Sequence, residues 1–276
     1  MTDRYAVIGN PVGHSKSPLI HAEFARQTGQ DIEYSRLLVP IEGFQAAVEE
    51  FRLAAGKGLN VTLPFKLEAY QLATQRSPRA DDAEAVNVLS FGRESVEGDN
   101  TDGIGLVRDI EANLGFSIGG KRVLLLGAGG AAQGAVGPLL ATQPALLAVG
   151  NRTTEKAQRL VARFAGRGPF ASVVVQAGSL NSYAGARFDL VVNATSASLK
   201  DTAPDIPMGL FAAGSMAYDM MYGQGLTPFL RLAQQQGADR LADGLGMLVE
   251  QAAETFLIWR GIRPDTHPVI QQLQSL

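Results

Sequence analysis

Short apolar runs alternate with segments whose apolar residues recur every three or four positions along most of the chain. The first pattern predicts buried strands, and the second predicts amphipathic helices. Strands that alternate with helices in this way are typical of a parallel sheet with helices packed on both faces. The pattern therefore predicts an α/β protein, in which a mixed α/β unit is followed by a doubly wound parallel sheet.

The first predicted unit ends near Asn100. Its expected strands are 5–8, 34–39, 58–61, 87–91 and 95–98, and its expected helices are 19–27 and 43–54. We expect Ser17 to cap the first helix, Pro18 to occupy its first position and Gly29 to end it. The last two strands are expected to form a hairpin.

A second unit begins after Thr101. Its expected strands are 122–126, 145–149, 173–176, 188–192 and 216–219, and its expected helices are 102–114, 131–140, 154–164 and 228–236. A last long helix, 244–259, follows the final strand and has apolar residues at helical spacing. We expect this helix to return to the first unit and pack on it.

The most informative segment of the second unit joins its first strand to its first helix. An apolar run ends at glycines with the spacing G-x-G-x-x-A, in which Gly127 permits a tight turn and Gly129 lets a pyrophosphate approach the backbone. Ala132 is small enough for the helix to lie close to the strand, and the helix N-terminus favours phosphate. The motif and its context predict a dinucleotide cofactor, with a glycine-rich turn of an ordinary α/β protein as the alternative. The residues expected at the cofactor are Gly127, Ala128, Gly129, Gly130 and Ala131.

The end of the second strand of this unit bears on the cofactor's ribose. An acidic residue about 20 positions beyond the glycines binds the 2′-hydroxyl of NAD, but Asn151, Arg152 and Thr153 carry no carboxylate. Arg152 can neutralise a 2′-phosphate, Thr153 can donate a hydrogen bond to it, and Lys156 lies one helical turn further on. The segment therefore favours NADP(H). In the alternative interpretation, Thr153 is a plain N-cap and Arg152 is a solvated arginine.

Composition narrows the possible ligands. The chain of 276 residues has a net charge of −3, an apolar fraction of 46% and no cysteine. The lack of a long basic run argues against nucleic acid, and the lack of cysteine excludes disulfides and thiolate metal sites. His14, His21 and His267 are too few and too scattered for a zinc site, so we expect no metal. Without an apolar run of membrane-spanning length or a signal-peptide pattern, we expect a cytoplasmic protein with no membrane partner.

Three polar segments that precede the glycine loop are candidates for chemistry. Ser15 and Ser17 follow the first strand, where their hydroxyls can meet a carboxylate near a positive helix end; alternatively, Ser17 only caps that helix. Lys66 lies in the first turn of a helix, where the dipole disfavours a cation and so favours proton transfer. The alternative for Lys66 is a solvated loop lysine. Asp102 either caps the following helix or faces Lys66 across a cleft, with Asn87 nearby.

Taken in order, these motifs resemble those of the shikimate dehydrogenase family, which comprises NADP-dependent enzymes of aromatic amino-acid biosynthesis. The likeness covers nearly the whole chain. It includes Gly-Asn-Pro and His-Ser-Lys-Ser-Pro in 9–18, Asn-Val-Thr and Pro-Phe-Lys in 60–66, Ala-Val-Asn in 85–87 and Gly-Asp-Asn-Thr-Asp-Gly in 98–103. It continues with Gly-Ala-Gly-Gly-Ala in 127–131, Asn-Arg-Thr in 151–153, Asn-Ala-Thr-Ser in 193–196, Tyr-Asp-Met in 218–220 and Asp-Gly-Leu-Gly-Met in 243–247.

The resemblance implies the reversible reduction of 3-dehydroshikimate to shikimate with NADP(H). Lys66 and Asp102 would be the catalytic pair, in which Lys66 supplies a proton to the forming alkoxide and Asp102 orients Lys66. The implied substrate-binding residues are Ser15, Ser17 and Tyr218 at the carboxylate, and Thr62, Asn87, Asp102 and Gln251 at the ring hydroxyls. Further cofactor contacts are implied for Thr195, Met220, Gly244 and Met247, beside Asn151, Arg152, Thr153 and Lys156.

The resemblance also implies the domain organisation. Residues 1–101 would form a substrate-binding domain that the C-terminal helices in 243–276 complete. Residues 102–242 would form an NADP-binding, Rossmann-type domain with a doubly wound parallel sheet, and a cleft would lie between the two. The expected partner is a small-molecule substrate, and the expected state is a monomer or a homodimer.

Two departures from the family's pattern concern the cofactor. Ala197 and Ser198 stand where the family commonly has Ser-x-Gly or Ser-Gly, near the implied nicotinamide. Lys156 stands where the family often has arginine, so the charge is kept but the planar fork is lost. Two alternative functions remain open: a quinate/shikimate dehydrogenase with relaxed specificity, and a non-catalytic sensor of shikimate-type metabolites. The segment 151–153 argues against NAD use, and the intact pair of Lys66 and Asp102 argues against a sensor.

Overall fold

The computed structural model of the chain describes residues 2–166, 168–195, 197 and 202–275. The backbone forms two compact units. The first unit comprises Met1–Gly105 and Leu248–Leu276, and the second unit comprises Leu106–Met247. Asp102 therefore belongs to the first unit, and residues 243–247 belong to the second.

The secondary structure follows the alternating pattern of the sequence. The strands in the described part of the chain are β1 (Asp3–Gly9), β2 (Ile32–Leu38), β3 (Gly56–Val61), β4 (Gln75–Arg76), β5 (Val88–Phe91), β6 (Val96–Asp99), β7 (Arg122–Leu126), β8 (Leu146–Gly150), β9 (Val174–Gly178), β10 (Phe188–Asn193), β11 (Phe211–Asp219) and β12 (Arg240–Ala242). The helices are α1 (Ser17–Thr28), α2 (Phe44–Leu53), α3 (Lys66–Leu72), α4 (Pro78–Ala83), α5 (Asp102–Arg108), α6 (Gly130–Ala141), α7 (Thr154–Ala162), α8 (Pro228–Gln235), α9 (Leu245–Arg260) and α10 (His267–Gln274). A π-helical turn, Asp109–Asn113, continues α5.

The first unit is built on a mixed six-stranded sheet in the order β2-β1-β3-β5-β6-β4. Strand β1 is parallel to β2 and β3, whereas β5 is antiparallel to both β3 and β6. The carboxyl ends of β1, β3 and β6 and the amino end of β5 consequently lie at the same end of this sheet.

The C-terminal helix α9 is an integral part of the first unit. The ring of Trp259 stacks on that of Tyr5 with 4.4 Å between centroids, and the indole nitrogen donates to the carbonyl oxygen of Leu89 at 3.3 Å. An ion pair adds to this packing, since Arg79 Nη1 lies 2.9 Å from Glu254 Oε1. No helix in the described ranges is both long enough and apolar enough to cross a membrane.

The second unit contains an all-parallel six-stranded sheet in the order β12-β11-β10-β7-β8-β9. The order reverses between β7 and β10, as in doubly wound dinucleotide-binding sheets. Alternate residues of β7 enter different cores, with Val123 and Leu125 in one and Leu124 and Leu126 in the other. Because both faces of β7 are covered, its sequence is an uninterrupted apolar run. The predicted α/β class with a doubly wound parallel sheet is confirmed.

The structure departs from the sequence-based expectation mainly at short elements. Strands β4 and β12 and helices α4 and α10 are too short for a sustained periodicity, and the sequence did not predict them. The expected N-cap at Ser17 and the expected first position of Pro18 are wrong, because α1 begins at Ser17. Pro18 is therefore its second residue, and Lys16 occupies the cap position. Gly29 ends α1 as predicted, with a left-handed φ of 64°.

His21 of α1 is fully buried in the first unit, among aromatic rings. Its ring stacks on that of Tyr34 at a centroid distance of 4.2 Å, and neither ring nitrogen meets a donor or acceptor among the residues described. Burial lowers the pKa of His21 from 6.5 to about 3, an effect that the side chain of Asn60 only partly offsets. His21 is therefore neutral in the folded protein at pH values where the unfolded chain binds a proton.

This difference should make the protein less stable as the pH falls. The contribution of His21 is complete above pH 6.5 and declines between pH 6.5 and about 3, by about 1.4 kcal/mol per pH unit. When the pH is lowered from 7.5 to 5, the free energy of unfolding should fall by about 2 kcal/mol less in His21→Phe, which keeps a stacked ring, than in the wild type. Urea unfolding at the two pH values measures this difference. The exposed His267, replaced in His267→Gln, is the control, and a wild-type pH dependence in His21→Phe would contradict the prediction.

Candidate functional site

Four strand ends meet at one end of the first sheet: the carboxyl ends of β1, β3 and β6 and the amino end of β5. The polar segments that adjoin these strand ends are therefore neighbours. They contain Ser15 and Ser17 after β1, Thr62 and Lys66 after β3, Asn87 before β5, and Asp102 after β6.

Lys66 and Asp102 form a close ion pair in this region. The distance from Lys66 Nζ to Asp102 Oδ2 is 2.5 Å, and the two side chains are only 21% and 10% exposed. A short loop carries the chain from the end of β3 to the start of α3, which begins at Lys66. The pair is largely withdrawn from water, so the attraction between its charges is weakly screened. The structure thus gives Lys66 a specific partner and does not support the solvated-lysine alternative.

The second carboxylate oxygen of Asp102 is also occupied. Asn87 Nδ2 donates to Asp102 Oδ1 at 2.8 Å. The amide nitrogen of Asp102 itself donates to Asn100 Oδ1 at 3.1 Å. Asp102 therefore begins α5 with both carboxylate oxygens engaged by side chains, which favours the Lys66-partner interpretation over the capping one.

Gln251 of α9 joins the buried polar cluster around Asn87. Its Oε1 atom lies 3.4 Å from both Asn87 Nδ2 and Thr101 Oγ1. The amide nitrogen of Thr101 donates to Asn87 Oδ1 at 2.8 Å. Thr101 is fully buried, and sequence reasoning did not select it, because a threonine between two motif residues carries no local signal of a contact to a distant helix.

Ser15 and Ser17 bring two hydroxyls together at the start of α1. The distance between the two Oγ atoms is 3.2 Å, and Ser15 Oγ also accepts a hydrogen bond from the amide of Ser17 at 3.3 Å. Ser15, rather than Ser17, therefore satisfies an amide of the first helical turn. The two hydroxyls and the positive end of a 12-residue helix can together receive a carboxylate.

Thr62 is held beside the end of β1. Its amide donates to the carbonyl oxygen of Ile8 at 3.0 Å. A Cβ atom on Gly9 would lie 2.4 Å from the methyl group of Thr62. The close approach of the two segments thus depends on the missing side chain of Gly9, and it leaves Thr62 partly exposed.

The glycine loop of the second unit joins β7 to α6. Gly127 has a φ of 108°, and its amide donates to the carbonyl oxygen of Gly150 at 2.8 Å. A Cβ on Gly127 would lie 3.2 Å from the carbonyl oxygen of Ala194, whereas one on Gly129 or Gly130 would meet nothing within 4 Å. The loop therefore packs tightly beside β10 but presents an uncovered backbone at the start of α6, which suits a phosphate group.

The segment between β8 and α7 carries the expected 2′-phosphate residues. Arg152, Thr153 and Lys156 are exposed. Thr153 is the N-cap residue of α7, but its side chain makes no capping hydrogen bond. Asn151 Nδ2 donates to the carbonyl oxygen of Thr153 at 2.8 Å and so fixes the turn. An arginine, a lysine and an uncommitted hydroxyl suit a phosphate better than a ribose diol.

The remaining expected cofactor residues differ in how accessible they are. Thr195 and Met220 are partly exposed, whereas Met247 is buried in the core of the second unit. A Cβ on Gly244 would lie 2.2 Å from the carbonyl oxygen of Met220, so only glycine fits there. Ser198, where the sequence departs from the family's pattern, and the preceding Ser196 lie outside the described residues.

Tyr218 does not have the role expected of it. It is fully buried on β11, and its hydroxyl donates to Asp109 Oδ2 at 2.7 Å within the second unit. Burial, followed by the charge of Asp109, raises the pKa of Tyr218 well above its ordinary value. A phenol that is buried and bonded to a carboxylate is not available to a ligand, so Tyr218 is a structural residue. Tyr222 is partly exposed, and sequence reasoning did not select it.

Models of known protein families match most of the chain. The shikimate dehydrogenase substrate binding domain matches residues 7–89, shikimate / quinate 5-dehydrogenase matches residues 110–201, and the shikimate 5′-dehydrogenase C-terminal domain matches residues 244–274. A curated relative, the shikimate dehydrogenase (NADP(+)) of Nitrosospira multiformis, is 58% identical over 275 residues, which cover 100% of this chain and 98% of the relative.

Two solved structures also match the chain over nearly its whole length. An Ael1 enzyme from Pseudomonas putida is 49% identical with a TM-score of 0.91, and the match covers 99% of this chain and 98% of that one. A shikimate 5-dehydrogenase from Thermus thermophilus, solved in complex with NADP(H) and shikimate, is 32% identical with a TM-score of 0.86 and is matched over 99% of each chain.

Proposed function

Because the chain belongs to the shikimate dehydrogenase family, we infer that it catalyses the NADP-dependent, reversible reduction of 3-dehydroshikimate to shikimate. This reaction is a step in chorismate and aromatic amino-acid biosynthesis. The observation that carries the inference is the 2.5 Å ion pair of Lys66 and Asp102 on segments that match the family's motifs. A protein that only sensed the metabolite would not need this pair.

Lys66 is the proposed proton donor. Reduction of a ketone requires a hydride at the carbonyl carbon and a proton at the oxygen, and NADPH supplies the hydride when bound. The ammonium group of Lys66 gives its proton to the forming alkoxide, which leaves a neutral amine and an alcohol. In the reverse direction, the amine takes the proton of the substrate hydroxyl.

Asp102 is the proposed orienting group for Lys66. One of its oxygens bonds the ammonium, and Asn87 holds the other. Because both of its oxygens are engaged, the carboxylate has little freedom to rotate. The ammonium group that it binds is therefore also held in one orientation. Fixed orientation of the proton donor is the contribution that this arrangement makes to the rate.

The other polar side chains of the first unit are proposed to hold the substrate. Ser15 and Ser17 bind its carboxylate, a role that their paired hydroxyls at the start of α1 support. The ring hydroxyls are assigned to Thr62, Asn87, Asp102 and Gln251. Three of these four already share hydrogen bonds, so their spacing is set before a ligand binds.

NADP(H) is proposed to bind the second unit. The pyrophosphate is assigned to residues 127–131, whose backbone is uncovered at Gly129 and Gly130, and the 2′-phosphate to Arg152, Thr153 and Lys156. Asn151, Thr195, Met220, Gly244 and Met247 complete the proposed cofactor contacts. We assign substrate binding to the first unit, residues 1–105 and 248–276, and NADP binding to the second, residues 106–247, which places Asp102 with the substrate and Gly244 and Met247 with the cofactor. A cytoplasmic monomer or homodimer is proposed.

Substrate choice tests the proposed reaction. Quinate has an additional hydroxyl on the ring carbon that bears the carboxylate. If Ser15 and Ser17 hold the carboxylate, that hydroxyl is buried without a partner, at a cost of about 1–3 kcal/mol. We expect kcat/KM for shikimate to exceed that for quinate by at least about tenfold, because 1.4 kcal/mol corresponds to one decade.

The experiment follows NADP+ reduction by absorbance with the two substrates side by side. Comparable values of kcat/KM would assign the chain to the quinate/shikimate branch with relaxed specificity. Binding of shikimate without any turnover would indicate a sensor and would overturn the proposed function.

A further inference from the structure

A cationic side chain of β2 is bonded to the turn that carries the two serines. Arg36 Nε and Nη2 both donate to the carbonyl oxygen of Ser15, at 3.1 and 2.6 Å. The hydroxyl of Ser15 lies 3.2 Å from that of Ser17. A planar guanidinium with two bonds to one oxygen fixes the position of that peptide group.

The same face of β2 contacts the second serine. Tyr34 lies two residues before Arg36 on the strand, so the two side chains share a face. The hydroxyl of Tyr34 donates to Asn60 Oδ1 at 2.7 Å and lies beside the side chain of Ser17. One strand face therefore supports the backbone of Ser15 and the side chain of Ser17.

Among the residues that the structure describes, no salt bridge neutralises the charge of Arg36. Arg36 is exposed, and it pairs with no carboxylate in the described ranges. Arginine keeps its charge throughout the working pH range. A positive charge next to two hydroxyls raises the local affinity for an anion even without direct contact.

We propose that Arg36 is a positioning and specificity-determining residue for the substrate's carboxylate. Its two hydrogen bonds hold the Ser15–Ser17 turn, and its charge favours a ring acid over a neutral analogue of the same shape. This role rests on the proposed function, because it assumes that the carboxylate of shikimate binds at Ser15 and Ser17. Arg36 acts through these serines and through its field, and it takes no part in hydride or proton transfer.

The test compares shikimate with its neutral carboxamide, which has the same ring and hydroxyls. In Arg36→Gln, the ratio of kcat/KM for shikimate to that for the carboxamide should fall about two- to fivefold, the upper part of the range for an exposed charge interaction. The loss should appear in KM for shikimate, with kcat within about twofold, because the carboxylate is held equally in ground and transition states. Arg36→Lys keeps the charge without the two-bonded fork, and its ratio should be intermediate.

A matched control is available at the opposite end of the same pair of strands. Arg4 of β1 also donates to a carbonyl oxygen, that of Ala54, at 3.1 Å. It lies opposite Glu33 in the register of β1 and β2, away from Ser15. Arg4→Gln removes the same charge and a similar bond, and it should leave the ratio unchanged. Added salt should lower the ratio in the wild type and have little effect in Arg36→Gln.

The possible results distinguish a failure of the role proposed for Arg36 from a failure of the proposed function. An unchanged ratio in folded Arg36→Gln, or an equal loss for both substrates, would overturn the role of Arg36 in specificity. Thermal unfolding checks the fold, and Arg36→Lys carries the test if the glutamine variant does not fold. Failure of the proposed function would appear in the wild type as an absence of shikimate turnover, before any variant is compared.

Discussion

Lys66→Ala is expected to lower kcat by about 10²–10⁴ while folding and NADP+ binding remain largely intact, which is the usual scale for one acid/base group. The ammonium of Lys66 lies 2.5 Å from Asp102 and is only 21% exposed on the side chain. Its removal leaves water to accept the proton of the shikimate hydroxyl, or to supply one in the reductive direction, without the fixed orientation that Asp102 provides. Since Lys66 belongs to the first unit and the glycine loop to the second, the variant should leave the cofactor residues unaltered.

The measurement is NADP+ reduction at saturating shikimate, together with calorimetric NADP+ binding and thermal unfolding. Lys57→Ala removes an exposed lysine of β3 and is the matched control. Because Lys66→Ala leaves a buried carboxylate without its cation, the double variant with Asp102→Asn separates lost stability from lost catalysis. A Lys66→Ala variant that kept more than about a third of kcat, far above the expected range, would show that Lys66 is not the acid/base group.

The doubly wound sheet is predictable from sequence because its signals are local. Strand β7 is apolar on both faces, so the run before Gly127 is uninterrupted. The positive φ of Gly127 and the short distance to Ala194 then explain why a glycine ends the run. Pattern and turn chemistry act over a few residues here, and both are visible in the sequence.

The incorrect expectations for Ser17 and Tyr218 concern details that local pattern does not determine. Ser17 was expected as a cap because a serine precedes a helical pattern, yet the helix begins at Ser17, and Ser15 accepts its amide hydrogen. Tyr218 was expected at a ligand, yet it shares a core with Met216, two residues earlier on β11. Its partner, Asp109, is 109 positions away along the chain.

The pairing of the polar side chains is likewise invisible in the sequence. Lys66 and Asp102 are 36 positions apart, and Asn87 and Gln251 are 164 positions apart. Residue types at the ends of strands indicate where polar groups collect, but only the register of the sheet and the return of α9 bring these atoms together. The same holds for Arg36 and Ser15, which no short motif connects.

Cofactor choice should depend on Arg152. Arg152→Ala is expected to weaken NADP+ binding by about 1.5–3 kcal/mol, or about 10- to 150-fold in Kd, the scale of hydrogen bonds to charged groups. NAD+ has no 2′-phosphate, so its affinity should change much less. The expectation follows from the position of Arg152, which is exposed just after β8 and whose neighbours, Asn151 and Thr153, carry no carboxylate.

Calorimetric titration of wild type and variant with NADP+ and with NAD+ measures the four affinities. Arg159→Ala removes an exposed arginine from the last turn of the same helix, α7, and should leave both cofactors unaffected. Lys156→Ala should cost less NADP+ affinity than Arg152→Ala, because a lysine binds a phosphate as a flexible point charge rather than through a planar fork. Equal losses for NADP+ and NAD+ in Arg152→Ala would mean that Arg152 acts on a part of the nucleotide that both cofactors share, and the preference for NADP(H) would then have to come from Thr153 and Lys156.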